Sequence, residues 1–162
     1  MDAGDDFTAL MEREYAGLVR VALPIVGDVG LAHEVVQEAF TRALVRWRRI
    51  SGYDRPGAWL RLVTVRLAVR TASHRRRDGV GVSIPETGDV DGFTDLTLRT
   101  AILALSPADR AVVVLHHLCD LPVDEVARIT KARPGAVKVR LHRARGRLAE
   151  ALTTEVDDAA VG

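Results

Sequence analysis

What this chain lacks narrows its chemistry. Among 162 residues there is one cysteine, Cys119, so an intramolecular disulfide and a zinc site built from several cysteines are both excluded. Aromatic residues make up only 4% of a composition that is otherwise ordinary for a globular protein, with 48% hydrophobic residues. Apolar runs are short; residues 21–26 form one of the longest, far below the 18 or so residues of a membrane span. The start, MDAGDDF, has neither the basic n-region nor the apolar h-region of a signal peptide, so a cytoplasmic protein is expected. No G-x-S-x-G elbow, Walker loop or HExxH occurs, and no active site is visible. His116, His117 and Cys119 lie close in sequence, but adjacent helical residues point about 100° apart and no second ligand cluster follows. Neither a metal nor a cofactor is expected. Asn is absent and Arg outnumbers Lys 21 to 2, a coding bias with no functional weight.

What is present is charge, unevenly placed. The totals, 23 Lys+Arg against 22 Asp+Glu, nearly cancel. Yet residues 42–77 hold eleven Arg and a single acid, Asp54, and residues 128–147 hold eight Lys+Arg and no acid. Between them, residues 78–95 carry five acids and no base. Two basic blocks fit a partner with extended anionic surface, most simply nucleic acid, the plainer reading being two solvated helix faces.

Apolar periodicity is helical almost throughout, and no segment alternates as a strand would, so the fold class is all-α. A first helix starts after Asp5 or Asp6 and ends at Pro24 and Gly27. Asp28 caps a second, reaching Ile50 with Leu31, Val35, Ala39, Ala43 and Trp47 on one stripe. Pro56 opens a third, which ends in the run His74-Arg75-Arg76-Arg77. Residues 78–92 read as a flexible acidic linker between two small helical domains, 1–77 and 93–152, with 153–162 as a disordered tail. In the second domain, Ser106-Pro107-Ala108-Asp109 is a helix start, and a short helix over 123–129 precedes a longer one from Pro134.

The strongest local pattern is residues 120–148: short helix, tight turn, basic helix, the spacing of a helix-turn-helix whose second helix enters a major groove. Val137, Leu141, Ala144 and Leu148 define its buried stripe. Opposite lie Gly135, Ala136, Val139, His142, Arg143 and Gly146. Ala136 and Val139 can touch thymine methyls, Arg133 and Arg143 can reach guanine acceptors, and Lys138, Arg140, Arg145 and Arg147 suit phosphates. A basic helix that merely covers a core is the bland alternative.

Several separated motifs then occur in order: GD-x(3)-A-x(3)-VQEAF over 27–40, P-x(2)-WL over 56–60, L-x(3)-DR-x-VV-x-L over 105–115, and VKxRLHRAR over 137–145. In this set the chain resembles the extracytoplasmic-function sigma factors, two-domain specificity subunits of bacterial RNA polymerase, over residues 7–152. The resemblance implies that domain 1–77 is sigma region 2-like, binding polymerase and opening the minus-ten element, and that domain 93–152 is region 4-like and reads the minus-thirty-five element. It implies a non-catalytic protein whose partners are core polymerase, through its clamp coiled coil and flap, promoter DNA, and in some cases an anti-sigma factor, with no membrane contact. Glu34, Gln37, Glu38 and Phe40 become the candidate polymerase contacts, with Glu34 and Glu38 spaced i,i+4 on an exposed face away from the basic stripe. Arg46, Arg48, Arg49, Arg61, Arg66 and Arg70 become phosphate contacts at the minus-ten element, with Tyr53 and Trp59 the available aromatics. For Trp47 and Trp59, core packing is the better reading.

Some positions depart from the family pattern. Arg66 stands where Asn is frequent and Arg70 at a usually acidic position; His33 replaces a frequent Glu, and Val139 a frequent Ser. Lys131 occupies a turn position that is usually Gly, where a positive φ costs about 1 kcal/mol. Two other functions remain open on sequence: a stand-alone helix-turn-helix regulator binding an operator, and an interaction module without promoter activity. The polymerase-like helix over 28–47 is the feature that an operator-binding regulator does not need.

Overall fold

The computed structural model describes residues 2–80 and 96–161, and every regular element among them is helical. Most of the expected linker and the expected domain start at Phe93 lie outside the described residues.

Helix α1 (Ala3–Val26) begins earlier than Asp5 and carries Pro24 inside its last turn. There the missing N–H costs one bond near a helix end that frays in any case. Gly27 stops the helix at φ 76°, a left-handed value natural to glycine, with its N–H on the Leu23 carbonyl at 2.7 Å. Asp28 caps α2 (Val29–Val45) as expected, its Oδ1 accepting from the Leu31 N–H at 2.9 Å.

The second helix does not run unbroken to Ile50. Arg46 leaves helical geometry at φ −108°, and a short α3 (Trp47–Ile50) follows. The break turns Trp47 and Ile50 toward the core: Ile50 is buried, and Trp47 lies edge-on to Phe7 and donates its indole N–H to the Ala3 carbonyl at 2.9 Å. Core packing therefore describes Trp47, and Trp59 is likewise half-buried against the core. Helix α4 (Pro56–Arg77) starts with Pro56 in its first turn. Helices α1, α2 and α4 pack on one another as the first domain.

In the second domain α5 (Leu96–Ala104) is followed by α6 (Pro107–Val113), whose start is capped by Ser106 Oγ accepting from the Asp109 N–H at 3.2 Å. A π-helical turn, Val114–Leu118, closes with the Cys119 N–H on the Val114 carbonyl at 3.1 Å. Helix α7 (Val123–Thr130) and helix α8 (Pro134–Val161) complete the helix-turn-helix. Helix α8 continues past Leu152 into the segment expected to be disordered; Glu150 and Ala151 are strong helix formers with no breaker after them. Among the described residues no helix is long and apolar enough to cross a membrane.

The two domains are not held apart. One buried cluster runs from Ile25, Leu60 and Val65 in the first domain to Val112, Val114, Ile129 and Val137 in the second. Helices α6 and α7 rest on α4, and α6 also meets α1.

Candidate nucleic-acid interface

The turn between α7 and α8 sets the pose of the recognition helix. Lys131 has φ 54° and ψ 37°, the left-handed geometry anticipated from the family's glycine, and the Ala132 N–H closes the turn on the Ala127 carbonyl at 3.0 Å. On α8 the stripe of Val137, Leu141 and Ala144 is buried as expected, while Leu148 is only partly so. The opposite face is open: Ala136, His142 and Arg143 are exposed, Val139 is 56% exposed, and nothing lies within 4 Å of where a side chain would begin at Gly135 or Gly146. Arg133, Lys138 and Arg145 stand exposed around it. Arg140 differs. It turns inward toward α6, half-buried, with its Nε 3.9 Å from Asp109 Oδ1, because its position adjoins the buried stripe rather than the outer flank.

The first domain arranges its cations otherwise. Arg46, Arg48, Arg49 and Tyr53 are exposed, and Arg61 and Trp59 are half-buried. Arg66 faces the second domain: its Nε donates to the Ile129 carbonyl at 2.9 Å and its Nη2 to the Arg128 carbonyl at 3.2 Å. These carbonyls end α7, where a helix lacks internal donors and a cation is favoured. Arg66 and Arg70 thus border a cleft of about 440 Å³ between the domains, together with Arg42, Lys131 and Arg140.

On α2, Glu34 and Gln37 are exposed, whereas Glu38 pairs with Arg42 at 2.8 Å and so is not apart from the basic stripe. Phe40 is 2% exposed, stacked on Tyr15 and edge-on to Phe7; its large apolar ring belongs to the core, where it floors a shallow groove with Met11 and Leu44. His33 is held by a 2.9 Å hydrogen bond to the Tyr15 hydroxyl.

Arg110, in the third of the ordered motifs, is a buried interdomain contact that charge patterning alone misses. It is 5% exposed and donates to the carbonyls of Leu105 at 2.9 Å, Leu103 at 2.7 Å and, across the domains, Ile25 at 2.7 Å. Burial, and secondarily the charge of Arg76, lowers its pKa from the ordinary value. Burial likewise raises the pKa of the Cys119 thiol. Among the described residues no group of three or more His, Cys, Asp or Glu side chains is placed to hold a metal.

Comparison with known proteins agrees with this geometry. Residues 10–78 match the family model for Sigma-70 region 2, and residues 95–148 the one for Sigma-70, region 4. The probable ECF RNA polymerase sigma factor SigI of Mycobacterium tuberculosis is 33% identical across 93% of this chain, which spans only 57% of that protein's length. The RNA polymerase sigma-E factor of Streptomyces avermitilis is 30% identical, with 95% of this chain and 89% of the relative covered. Among solved structures, the sigma factor RpoE in complex with the anti-sigma factor NepR from Bartonella quintana has the same fold, with a TM-score of 0.74, 23% identity, and 91% and 97% of the two chains covered.

Proposed function

This chain belongs to the extracytoplasmic-function sigma factors, and we propose that it binds core RNA polymerase and directs promoter-specific transcription initiation. Catalysis then resides in the polymerase, and the work is done in the cytoplasm. The carrying observation is a free cationic face on the second helix of a helix-turn-helix, in one chain with a region 2 domain. A stand-alone operator-binding regulator needs the first of these and has no use for the second.

In this reading α8 lies in the duplex major groove at the minus-thirty-five element. Arg133 and Arg143 contact bases, and Lys138 and Arg145 contact phosphates. Arg46, Arg48, Arg49 and Arg61 hold the separated strands at the minus-ten element, with Tyr53 available to stack on an exposed base. Exposed Glu34, Gln37 and Glu38 on α2 meet a basic polymerase surface. Changing Glu34 and Glu38 to Lys is expected to weaken capture by core enzyme about tenfold or more while the far-ultraviolet spectrum stays helical. The likeness to an anti-sigma-bound protein supports a protein inhibitor for this chain too.

Run-off transcription with core polymerase and a promoter library tests the reading. Discrete transcripts that depend on this protein are expected; tight sequence-specific duplex binding without any transcript would support the operator-binding alternative.

A further inference from the structure

The cleft between the domains is lined by the cations Arg42, Arg66, Arg70, Lys131 and Arg140 and, among the described residues, by no carboxylate. They come from α2, α4, the turn after α7, and α8, so only folding gathers them. Two are partly answered by acids outside the lining: Arg42 by Glu38 at 2.8 Å and Arg140 by Asp109 at 3.9 Å. Arg70 and Lys131, both exposed, lie in no ion pair among the described residues. Arg66 gives Nε and Nη2 to the Ile129 and Arg128 carbonyls, which fixes its guanidinium at the cleft wall, and a guanidinium has further N–H groups to offer. Like charges one turn apart, as Arg66 and Arg70 are on α4, destabilise a helix, and a concave wall concentrates their field. An anion seated here relieves both.

Between the cations the wall is aliphatic: Leu62, Val65 and Val69 of α4, Ala111 of α6 and Ile129 of α7. Among the described residues no aromatic ring lines the cleft, so a nucleobase has nothing to stack on. The lining hydroxyl, that of Thr130, already donates to the Val126 carbonyl at 2.7 Å, so a sugar finds little to bond. The volume, about 440 Å³, falls within the roughly 300–1,000 Å³ typical of small-molecule sites. We propose that this cleft binds a single-chain anionic amphiphile, its carboxylate or phosphate head among Arg66, Arg70 and Lys131 and its aliphatic body along Leu62, Val69 and Ile129. Arginine and lysine serve either head group. Each methylene of the body leaves water on binding, so affinity rises with chain length. The proposal goes beyond the sigma-factor reading and does not depend on it.

Dodecanoate and dodecyl phosphate, each below its micelle-forming concentration, are the probes, titrated into the full chain by calorimetry and by spectra of carbon-labelled isoleucine methyl groups. One-to-one binding is expected for either head group. It is expected to shift the Ile129 methyl and to leave in place those of Ile25, Ile50 and Ile102, which lie outside the lining. The octyl analogues are expected to bind about tenfold or more weakly. Arg70→Glu is expected to weaken binding about tenfold, and Ala108→Phe, whose ring fills the cleft, to abolish it. Arg20→Glu, exposed on α1 and outside the lining, is expected to change nothing. Inorganic phosphate has the charge without the chain, and dodecyltrimethylammonium the chain with the opposite charge; both are expected to bind far more weakly than dodecanoate, as is ATP. Tighter binding of ATP, equal binding of dodecyltrimethylammonium, or no saturable binding of either probe overturns the proposal. So do shifts at the other isoleucines in place of Ile129, and binding that Arg70→Glu and Ala108→Phe both leave unchanged. If either variant fails to fold, the probe series and methyl shifts of the unaltered chain still decide. Neither polymerase nor promoter enters these measurements, so their failure leaves the sigma-factor reading untouched.

Discussion

The cations of the two domains look alike in sequence and differ in what they touch. At the entrance to α8 and along it, Arg133, Lys138, Arg143 and Arg145 stand exposed around a face that two glycines leave bare. On α4, Arg66 is engaged by main-chain carbonyls of the other domain, and Arg70 borders the cleft beside it. A basic stripe thus does not specify its anion. The same guanidinium serves a phosphate or a helix end, whichever the packing brings within 3 Å or so.

The sharpest way to break the comparison is to remove the buried member of the basic set. Arg110→Ala leaves three carbonyls without their donor, and we expect a loss of about 3–5 kcal/mol, seen as a fall in Tm of roughly 10 °C or more by circular dichroism. Arg143→Ala, on the open face of α8, is expected to leave Tm unchanged within a degree or two.

A second contrast lies within the basic set of α8 and its entrance. Arg133→Ala and Arg143→Ala are expected to cost about 1–3 kcal/mol of base discrimination on a randomised minus-thirty-five duplex. Lys138→Ala and Arg145→Ala are expected to weaken binding to all sequences alike and to lower the salt slope by about one unit each. If Lys138→Ala reshaped the preferred sequence while the two arginine variants left it intact, the assignment of faces would be reversed.

The turn offers a smaller effect. Lys131→Gly relieves a left-handed backbone and is expected to stabilise the protein by about 1 kcal/mol in urea unfolding, offset in part by added freedom of the unfolded chain. The smallest concerns His117, whose pKa is lowered by partial burial and then by the charges of His116 and Arg145. Because the folded state binds its proton less readily than the unfolded chain, stability falls as pH drops from the ordinary value of 6.5 through the lowered one. His117→Gln is expected to flatten that slope in a pH series of urea midpoints.

Much of the fold is legible one turn at a time. Asp28 and Ser106 accept from N–H groups three residues on, Pro56 lies in a first helical turn, and the stripe of Val137, Leu141 and Ala144 follows helical spacing. The break at Arg46 is not legible, because nothing local demands it; it serves Trp47, whose hydrogen-bond partner Ala3 is 44 residues away. Phe40 misleads for a similar reason. Its motif marks a surface helix, and only the packing of Tyr15 and Phe7 shows that its ring points inward.

By itself the sequence determined the helix starts at Asp28, Pro56 and Ser106, the buried stripe of α8, and that two basic segments flank an acidic one. These properties depend on partners within four residues or on side-chain period alone. Only the tertiary structure decided which arginines are free. The acceptors that claim Arg66 and Arg110 are carbonyls of Ile129, Arg128 and Ile25. Every residue carries such a carbonyl, so no side chain announces it, and the choice among them is made by the fold bringing one helix end against another.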